Sequence, residues 1–248
     1  MHKYTIGIVS VFIVTIVVIT QQNQTLIEDK PNLNYRWNIV SGGILNIKKS
    51  VLSTNIGELN TQNPVYKLYQ NKAPIDSDNG KHPQNLFKIT TKRSYINSTQ
   101  KITYKIKKLN LSDSPNRNNT NGIFLLSKYK NEQTYYKAGL RVDGNFIISR
   151  TLNGETQILA AKTYFLGDYD RTQTPYLINT SEEDLLKFET IETKDGVMLK
   201  LYYRDTPKRD WFTMLEVFDP TDMAIVSKGK NGIQTDFMDV EFTNYKTY

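Results

Sequence analysis

The sequence predicts an all-β domain, a sandwich or a barrel, behind an apolar N-terminal segment. Short runs of alternating apolar and polar residues recur along most of the 248 residues. Turn pairs that contain glycine separate these runs at intervals of about 8–12 residues, the spacing typical of β-sandwiches and barrels. Helical periodicity is nearly absent, which excludes a helical or alternating α/β architecture.

The apolar N-terminal segment predicts export. The run from Ile6 to Ile19 is almost entirely apolar and is followed by polar residues. Its length suits the core of a signal peptide or a short membrane-anchor helix, and small residues typical of a cleavage site are not evident around 20–25. We assign 1–20 as a signal peptide or membrane anchor, 21–35 as a polar stalk and 36–248 as the β-domain. The predicted location is extracellular, either membrane-anchored or secreted.

Composition narrows the partners of the domain. The chain has no cysteine, which excludes disulfides, thiolate nucleophiles and thiolate metal ligands. Its net charge is +7 without a long basic block, so an anionic polysaccharide, an envelope polymer or lipid headgroups are expected as partners, and nucleic acid is not. Glycosylation sequons are compatible with export and lie at Asn23, Asn97, Asn110, Asn118 and Asn179.

Local signals mark the hairpins. Asp-Gly and Asn-Gly pairs favour type I′ turns, whose central residues need positive φ, and they occur at Asp143-Gly144, Asn153-Gly154 and Asp195-Gly196. The segment Ser181–Leu186 has an N-cap and an acidic first turn, which predicts a helix of one or two turns. Long loops are expected at Tyr69–Gln84 and Ser112–Asn121. Trp37 and Trp211 are expected to be core anchors, since tryptophan often packs between sheets.

Sites of catalysis or metal binding are sparse. His82 is the one histidine of the domain, and its Gly-Lys-His-Pro context predicts an exposed loop, so His-dependent nucleophilic catalysis and zinc binding are not expected. The Asp76–Gly80 segment resembles the start of a calcium loop, but Phe87 occupies the position of the bidentate acid. Asp239 and Glu241 are expected to face the same way on the last strand. Asp239 is the candidate ligand for a structural calcium ion, and no other cofactor is required.

The strand from Tyr135 to Asp143 predicts a binding face. If Tyr136 and its alternating neighbours face the core, the opposite side carries an aromatic ring, cations and one acid, namely Tyr135, Lys137, Arg141 and Asp143. By the same parity, the lysines of an earlier strand are expected to extend this face: Lys101, Lys105 and Lys107. Arg150, from the next strand, is added as a further ligand contact.

Four segments together resemble the concanavalin A-like lectin/glucanase jelly roll, closest to its laminin-G-like and uncharacterised extracellular branches. They are Trp37…Ser41-Gly42-Gly43, Gly122-Ile123 with Lys128-Tyr129, Tyr135–Gly144 and Thr235–Phe242. The resemblance covers about 36–246. It implies a two-sheet antiparallel jelly-roll sandwich whose concave face is suited to sugars.

One strand is also similar to a catalytic strand within that superfamily. Tyr136-Lys137-Ala138-Gly139 resembles the Tyr-Phe-Lys-Ala-Gly strand of alginate-lyase-like enzymes. The chain departs from that family because it contains neither an Arg-x-Glu-x-Arg strand nor a Gln-Ile-His triplet. The Glu-x-Asp-x-x-Glu cluster of family-16 glucanases is also missing. The resemblance therefore supports the fold more than catalysis.

The sequence predicts a non-catalytic, lectin-like surface domain that binds a glycan or polysaccharide, with contacts from Tyr135, Lys137, Arg141 and Arg150. The alternative is a polysaccharide lyase or glycosidase that acts on an anionic polysaccharide. In that case Tyr135 or Tyr136 would serve as acid or base, and Arg141 or Lys137 would neutralise a uronate carboxylate. A second alternative is a structural or adhesion domain.

Overall fold

The computed structural model describes residues 27–28, 36–206 and 209–248. Two β-sheets pack face to face. The strands of the eight-stranded sheet lie in the order β1-β3-β4-β15-β6-β11-β12-β13. Their bounds are Ile27–Glu28 (β1), Asn46–Lys48 (β3), Val51–Ser53 (β4), Met238–Thr247 (β15), Ser98–Leu109 (β6), Asp184–Thr193 (β11), Gly196–Arg204 (β12) and Phe212–Pro220 (β13).

The seven-stranded sheet has the order β10-β9-β8-β7-β14-β5-β2. Its strands are Glu155–Thr163 (β10), Asn145–Leu152 (β9), Thr134–Arg141 (β8), Gly122–Asn131 (β7), Gly229–Asp236 (β14), Leu86–Tyr95 (β5) and Trp37–Ser41 (β2). Apart from the short parallel β1–β3 contact, the paired strands are antiparallel. The predicted all-β, two-sheet antiparallel sandwich is confirmed.

The core lies between the sheets because each strand turns alternate side chains inward. Its largest fully buried rings come from both sheets: Phe87, Tyr136 and Phe146 from one, and Tyr104, Phe188 and Phe242 from the other. The chain passes from β14 to β15, and so from one sheet to the other, through Phe237. This residue has a φ of 54°, and its backbone bonds to Asn85 and Asn110. These contacts fix the junction that sets the relative position of the sheets.

The three predicted hairpins are present, but only Asn153-Gly154 has positive φ at both turn residues, as a type I′ turn requires. Gly144 and the Asn153-Gly154 pair have positive φ, and Gly196 begins β12 opposite Thr193. The helix prediction at Ser181–Leu186 is wrong, because Asp184 onward pairs with β6 and β12 as strand β11. Neighbouring strands on both sides satisfy its backbone, which a single helical turn cannot do.

A helix that the sequence analysis did not predict, α1, spans Pro64–Lys72. Asn63 caps it by accepting a hydrogen bond from the Val65 amide, and Pro64 occupies the first turn, where its missing N–H costs nothing. Tyr69 is buried, and its hydroxyl accepts a bond from the Gly42 amide. The expected loop at Tyr69–Gln84 therefore begins inside a helix.

The predictions for the N-terminal segment fall mostly outside the described residues. The 1–20 signal or anchor lies wholly outside them, and of the 21–35 segment only Ile27–Glu28 is described, as β1 beside β3. Within the described ranges, no helix is long and apolar enough to span a bilayer.

The two tryptophans have different environments. Trp37 is buried and contacts the Tyr245 ring at a centroid distance of 4.8 Å, so the prediction that it anchors the core is confirmed. Trp211 lies half-buried on the outer side of the eight-stranded sheet, with the Arg204 guanidinium 4.7 Å from its ring centroid. The prediction of a core role for Trp211 is wrong.

Candidate functional site

The outer surface of the seven-stranded sheet carries a cluster of polar and aromatic side chains. We call it the lysine–tyrosine face and define it by Lys88 on β5, Tyr135 and Lys137 on β8, and Gln234 and Asp236 on β14. Strand register places them together. Gln234 pairs with Lys88 on one side and Phe124 on the other, and Lys137 pairs with Leu126 across the β7–β8 ladder.

The face has an apolar floor. Phe124 and Leu126 alternate with the core residues of β7, so they point away from the core, yet both are fully buried. The Lys137 ammonium lies 4.5 Å from the centroid of the Phe124 ring. Gly139 pairs with Phe124, and a Cβ at that glycine would lie 2.0 Å from the Ile123 carbonyl oxygen. Glycine therefore permits the close approach of β7 and β8 beneath the lysine.

Two tyrosines and an ion pair form one end of the face. The Tyr129 and Tyr135 rings lie 5.7 Å apart and pack with Leu126. The Lys88 ammonium lies 5.3 Å from the Tyr135 ring centroid and donates to Glu132 at 2.5 Å. The Tyr129 hydroxyl also donates to Glu132, and burial together with this carboxylate raises the Tyr129 pKa. These contacts hold the Tyr135 ring in one orientation.

Gln234 and Asp236 form the centre of the face. The Gln234 amide nitrogen donates to Asp236 at 3.0 Å. Burial raises the pKa of Asp236, and the charges of Lys137 and Lys88 and the bond from Gln234 oppose that rise. The charged groups that act on Asp236 are thus two lysines.

Several polar groups on this face have no protein partner in the described ranges. The Gln234 amide oxygen is buried without a hydrogen bond. The Lys137 ammonium makes its cation–π contact but has no carboxylate within 4.0 Å among the described residues. The Tyr135 hydroxyl makes no hydrogen bond to the described chain. Buried polar groups are normally bonded, so the Gln234 oxygen is an unsatisfied buried acceptor, and beside it the Lys137 ammonium and the Tyr135 hydroxyl remain free to bind a ligand.

Solved structures share the fold but little sequence. A carbohydrate-binding module, CBM66 from Bacillus subtilis, matches with 15% identity over 90% of this chain and 99% of its own, at a TM-score of 0.52. The chain has the concanavalin A-like jelly-roll fold. The exoplasmic/lumenal domain of VIP36, in a form bound to Ca²⁺ and Man3GlcNAc, matches with 10% identity, 87% and 83% coverage and a TM-score of 0.48.

A mutant of the GH43 protein BlXynB from Bacillus licheniformis matches with 10% identity and a TM-score of 0.46 over 81% of this chain. This chain spans 33% of that enzyme's length. No protein-family model matches the sequence, and no curated protein matches it.

The jelly roll places three of the predicted contact residues on one outer surface. Tyr135 and Lys137 lie in the lysine–tyrosine face, as their strand parity predicted. Arg141 lies at the end of the same strand, where it donates to the Asn119 carbonyl and, at 2.6 Å, to Asp143. Arg141 therefore stabilises the loop at the end of the face, and its charge is already paired with Asp143.

Arg150 and Tyr136 lie on the other side of the sheet, so the structure does not bring Arg150, predicted as a ligand contact, to the same surface as Tyr135 and Lys137. The two are cross-strand partners that face the interior. Arg150 donates to Asp219 of the opposite sheet at 2.5 Å, and the Tyr136 hydroxyl donates to the same carboxylate at 2.6 Å. Burial and this bond raise the pKa of Tyr136, the opposite of what a tyrosine base requires.

The lysines expected to extend the face lie on the opposite side of the jelly roll. Lys101, Lys105 and Lys107 belong to β6, which is in the eight-stranded sheet. The alternation of side chains along β6 was therefore not enough to predict that these lysines extend the face, because alternation does not show which sheet a strand joins.

Asp239 is fully buried at the junction between the sheets. Its carboxylate accepts bonds from Gln84 at 2.8 Å, Asn110 at 2.9 Å and the Gly57 amide at 2.8 Å. Glu241 instead pairs with Lys107, because a register shift follows Asp239 and breaks the expected shared orientation. The described ranges contain no group of three acidic or histidine side chains placed to hold a metal. Calcium binding at Asp239 stays a prediction.

His82 is buried, and the prediction that it lies in an exposed loop is wrong. It is 8% exposed, and its Nδ1 lies 2.8 Å from Asp78. Asn110 is also buried, and its amide nitrogen donates to Asn85 and Asp239, so glycosylation there is incompatible with the fold. Asn97, Asn118 and Asn179 are at least partly exposed and remain candidate sequons, whereas Asn23 lies outside the described residues.

Sequence reasoning missed Lys88, Gln234 and Asp236. Gln234 and Asp236 stand two positions apart in a strand, which is a local signal that they share a face. Their neighbours could not be inferred, because β14 pairs with β5 and β7, which lie more than a hundred residues earlier.

Proposed function

We propose that this domain is a non-catalytic glycan-binding module whose ligand occupies the lysine–tyrosine face. The observation that carries the proposal is the set of unpartnered groups around Asp236. Lys137 offers a donor, Tyr135 offers both an aromatic ring and a hydroxyl, and the Gln234 oxygen beneath them is an acceptor without a partner. A sugar presents hydroxyl pairs and an apolar C–H face, so the combination of carboxylate, amide, ammonium and ring matches its chemistry.

The same geometry favours an acidic sugar. The Lys137 and Lys88 charges both act on Asp236, and Lys88 is already paired with Glu132. Lys137 is then the cation available to a uronate carboxylate, and the resulting charge-assisted bond would be stronger than one to a neutral hydroxyl. If the domain is exported, as the N-terminal segment predicts, an extracellular or envelope polymer would be the source of such a ligand.

A glycan array with neutral and uronate-containing oligosaccharides tests the proposal. Lys137→Ala is expected to lower affinity for the bound oligosaccharide at least tenfold, since a hydrogen bond to a charged group contributes about 1.5–3 kcal/mol. Gln234→Leu, which removes the unpartnered oxygen, should have a similar effect. Lys162→Ala is the matched control, because Lys162 is exposed on β10 away from this face.

Retention of no oligosaccharide by the wild-type domain would contradict glycan binding. Equal loss in Lys137→Ala and Lys162→Ala would contradict the assigned face. Tyr135 and Arg141 remain the groups that a lyase would use, and lyase activity would appear as new absorbance at the unsaturated product of an acidic polymer.

A further inference from the structure

The outer side of the eight-stranded sheet carries lysines aligned across neighbouring strands. Lys101 on β6 is the direct partner of Lys187 on β11 and of Lys246 on β15. We call these three residues the lysine row. Adjacent strands lie about 4.8 Å apart, and like charges placed directly opposite each other destabilise a sheet. Folding stability alone therefore disfavours this arrangement.

The protein neutralises only part of the row. Lys187 bonds to Glu189 at 3.1 Å and lies 3.7 Å from the Tyr202 ring centroid. Within the described ranges, neither Lys101 nor Lys246 has a carboxylate within 4.0 Å. The other acids of this surface are engaged, since Glu241 pairs with Lys107 and Glu216 pairs with Lys200.

Further positive charge and two aromatic rings adjoin the row. Lys105 lies on the same side of β6 as Lys101, and its cross-strand partner Glu241 is the acid that Lys107 holds. The row continues across the sheet to Tyr202, the direct partner of Lys187. Beyond it lies Trp211, whose ring centroid is 5.6 Å from the Lys187 ammonium. Both rings are half-buried, so they form part of the surface and do not project from it.

We propose that the lysine row is a second binding surface, which holds a linear anionic polysaccharide across the strands, on the side of the domain opposite the lysine–tyrosine face. Unpaired ammonium groups one strand apart match a polymer with a repeating negative charge. The rings at the end of the row can pack against a sugar ring. This surface does not depend on the function proposed above, because none of its residues belongs to the other face.

Charge reversal tests the row. Dextran sulfate is the probe, with uncharged dextran beside it, and affinity is measured at low and high salt. Lys101→Glu/Lys246→Glu is expected to lower the affinity for dextran sulfate about tenfold or more at low salt and to weaken its salt dependence. Lys67→Glu/Lys162→Glu changes the net charge equally at exposed sites on α1 and β10 and is expected to retain binding.

Two further measurements distinguish the surfaces. Lys137→Gln, on the opposite face, is expected to lower the affinity for dextran sulfate less than Lys101→Glu/Lys246→Glu does. Because the row is a site of repulsion, Lys101→Gln should raise the unfolding midpoint or leave it unchanged while it weakens polymer binding.

Three results would overturn the proposal. One is equal loss in the two double variants, which would reflect net charge alone. Another is a loss confined to Lys137→Gln, which would place the polymer on the other face. The third is binding of the wild type to vesicles of phosphatidylserine and phosphatidylcholine but not to dextran sulfate, which would make this a lipid surface.

Discussion

Asp184 makes the stability of the domain depend on pH. It is fully buried, and it accepts hydrogen bonds from the hydroxyls of Tyr203 at 3.0 Å and Tyr104 at 3.5 Å. Burial raises its pKa to about 7, and the nearby Asp205 and Glu182 add to the rise. The folded protein therefore retains a proton that the unfolded chain releases at about pH 4.

The direction in which stability changes with pH follows from this difference in pKa. Between about pH 4 and pH 7 the unfolded state binds fewer protons than the folded state, so the free energy of unfolding falls as the pH rises. A difference of about three pKa units at 1.36 kcal/mol each corresponds to a loss of about 4 kcal/mol. Asp184→Asn removes the titrating group, and its amide oxygen can still accept a bond from Tyr203.

Urea unfolding from pH 4 to pH 8 measures this loss. We expect Asp184→Asn to match the wild type near pH 4 and to be about 2–4 kcal/mol more stable near pH 8, where the buried carboxylate of the wild type is ionised. Glu183→Gln is the control, because Glu183 is an exposed carboxylate next in sequence. If Asp184→Asn kept the pH profile of the wild type, the assignment of this pH dependence to Asp184 would be refuted.

Three other outcomes are expected. Asp219→Ala should lower the free energy of unfolding, measured in urea, by about 3–5 kcal/mol because it leaves Arg150 buried and unpaired. Glu58→Ala, which breaks an exposed pair with Lys81, should lower it by less than about 1 kcal/mol. Similar losses in the two variants would contradict the burial argument. Asp239→Asn should lower stability equally with EDTA and with millimolar calcium if amide donors alone hold the carboxylate, and a loss seen only with calcium would establish a calcium site. The wild-type domain should produce no unsaturated-product absorbance from polygalacturonate, and a steady increase would establish the lyase alternative.

The β8 strand shows how far local patterning reaches. Alternation along Tyr135–Arg141 predicted which side chains leave the core, and the register confirms it for Tyr135 and Lys137. The prediction succeeds because successive side chains of a strand point to opposite faces. Alternation was not applied to β9, where Arg150 is buried on the same inward side as Phe146 and Ile148. A shift of one residue reverses every side chain.

Long-range pairing decided the remaining parts of the candidate site. Lys88 and Gln234 are far apart in sequence and become neighbours because β14 lies between β5 and β7. Helix α1 is a different case, because Asn63-Pro64 is a local start signal and only the end of this helix enters the loop expected at Tyr69–Gln84.

The sequence by itself determined the β class, the hairpin turns and the side of β8 that carries Tyr135 and Lys137, because backbone preferences and alternation are local properties. Only the tertiary structure decided that Lys101 and Lys137 lie on opposite sides of the sandwich and that Arg150 is buried against Asp219. Both outcomes depend on which strands pair and in what register. That choice is made by burying the whole core at once, so no single segment contains it.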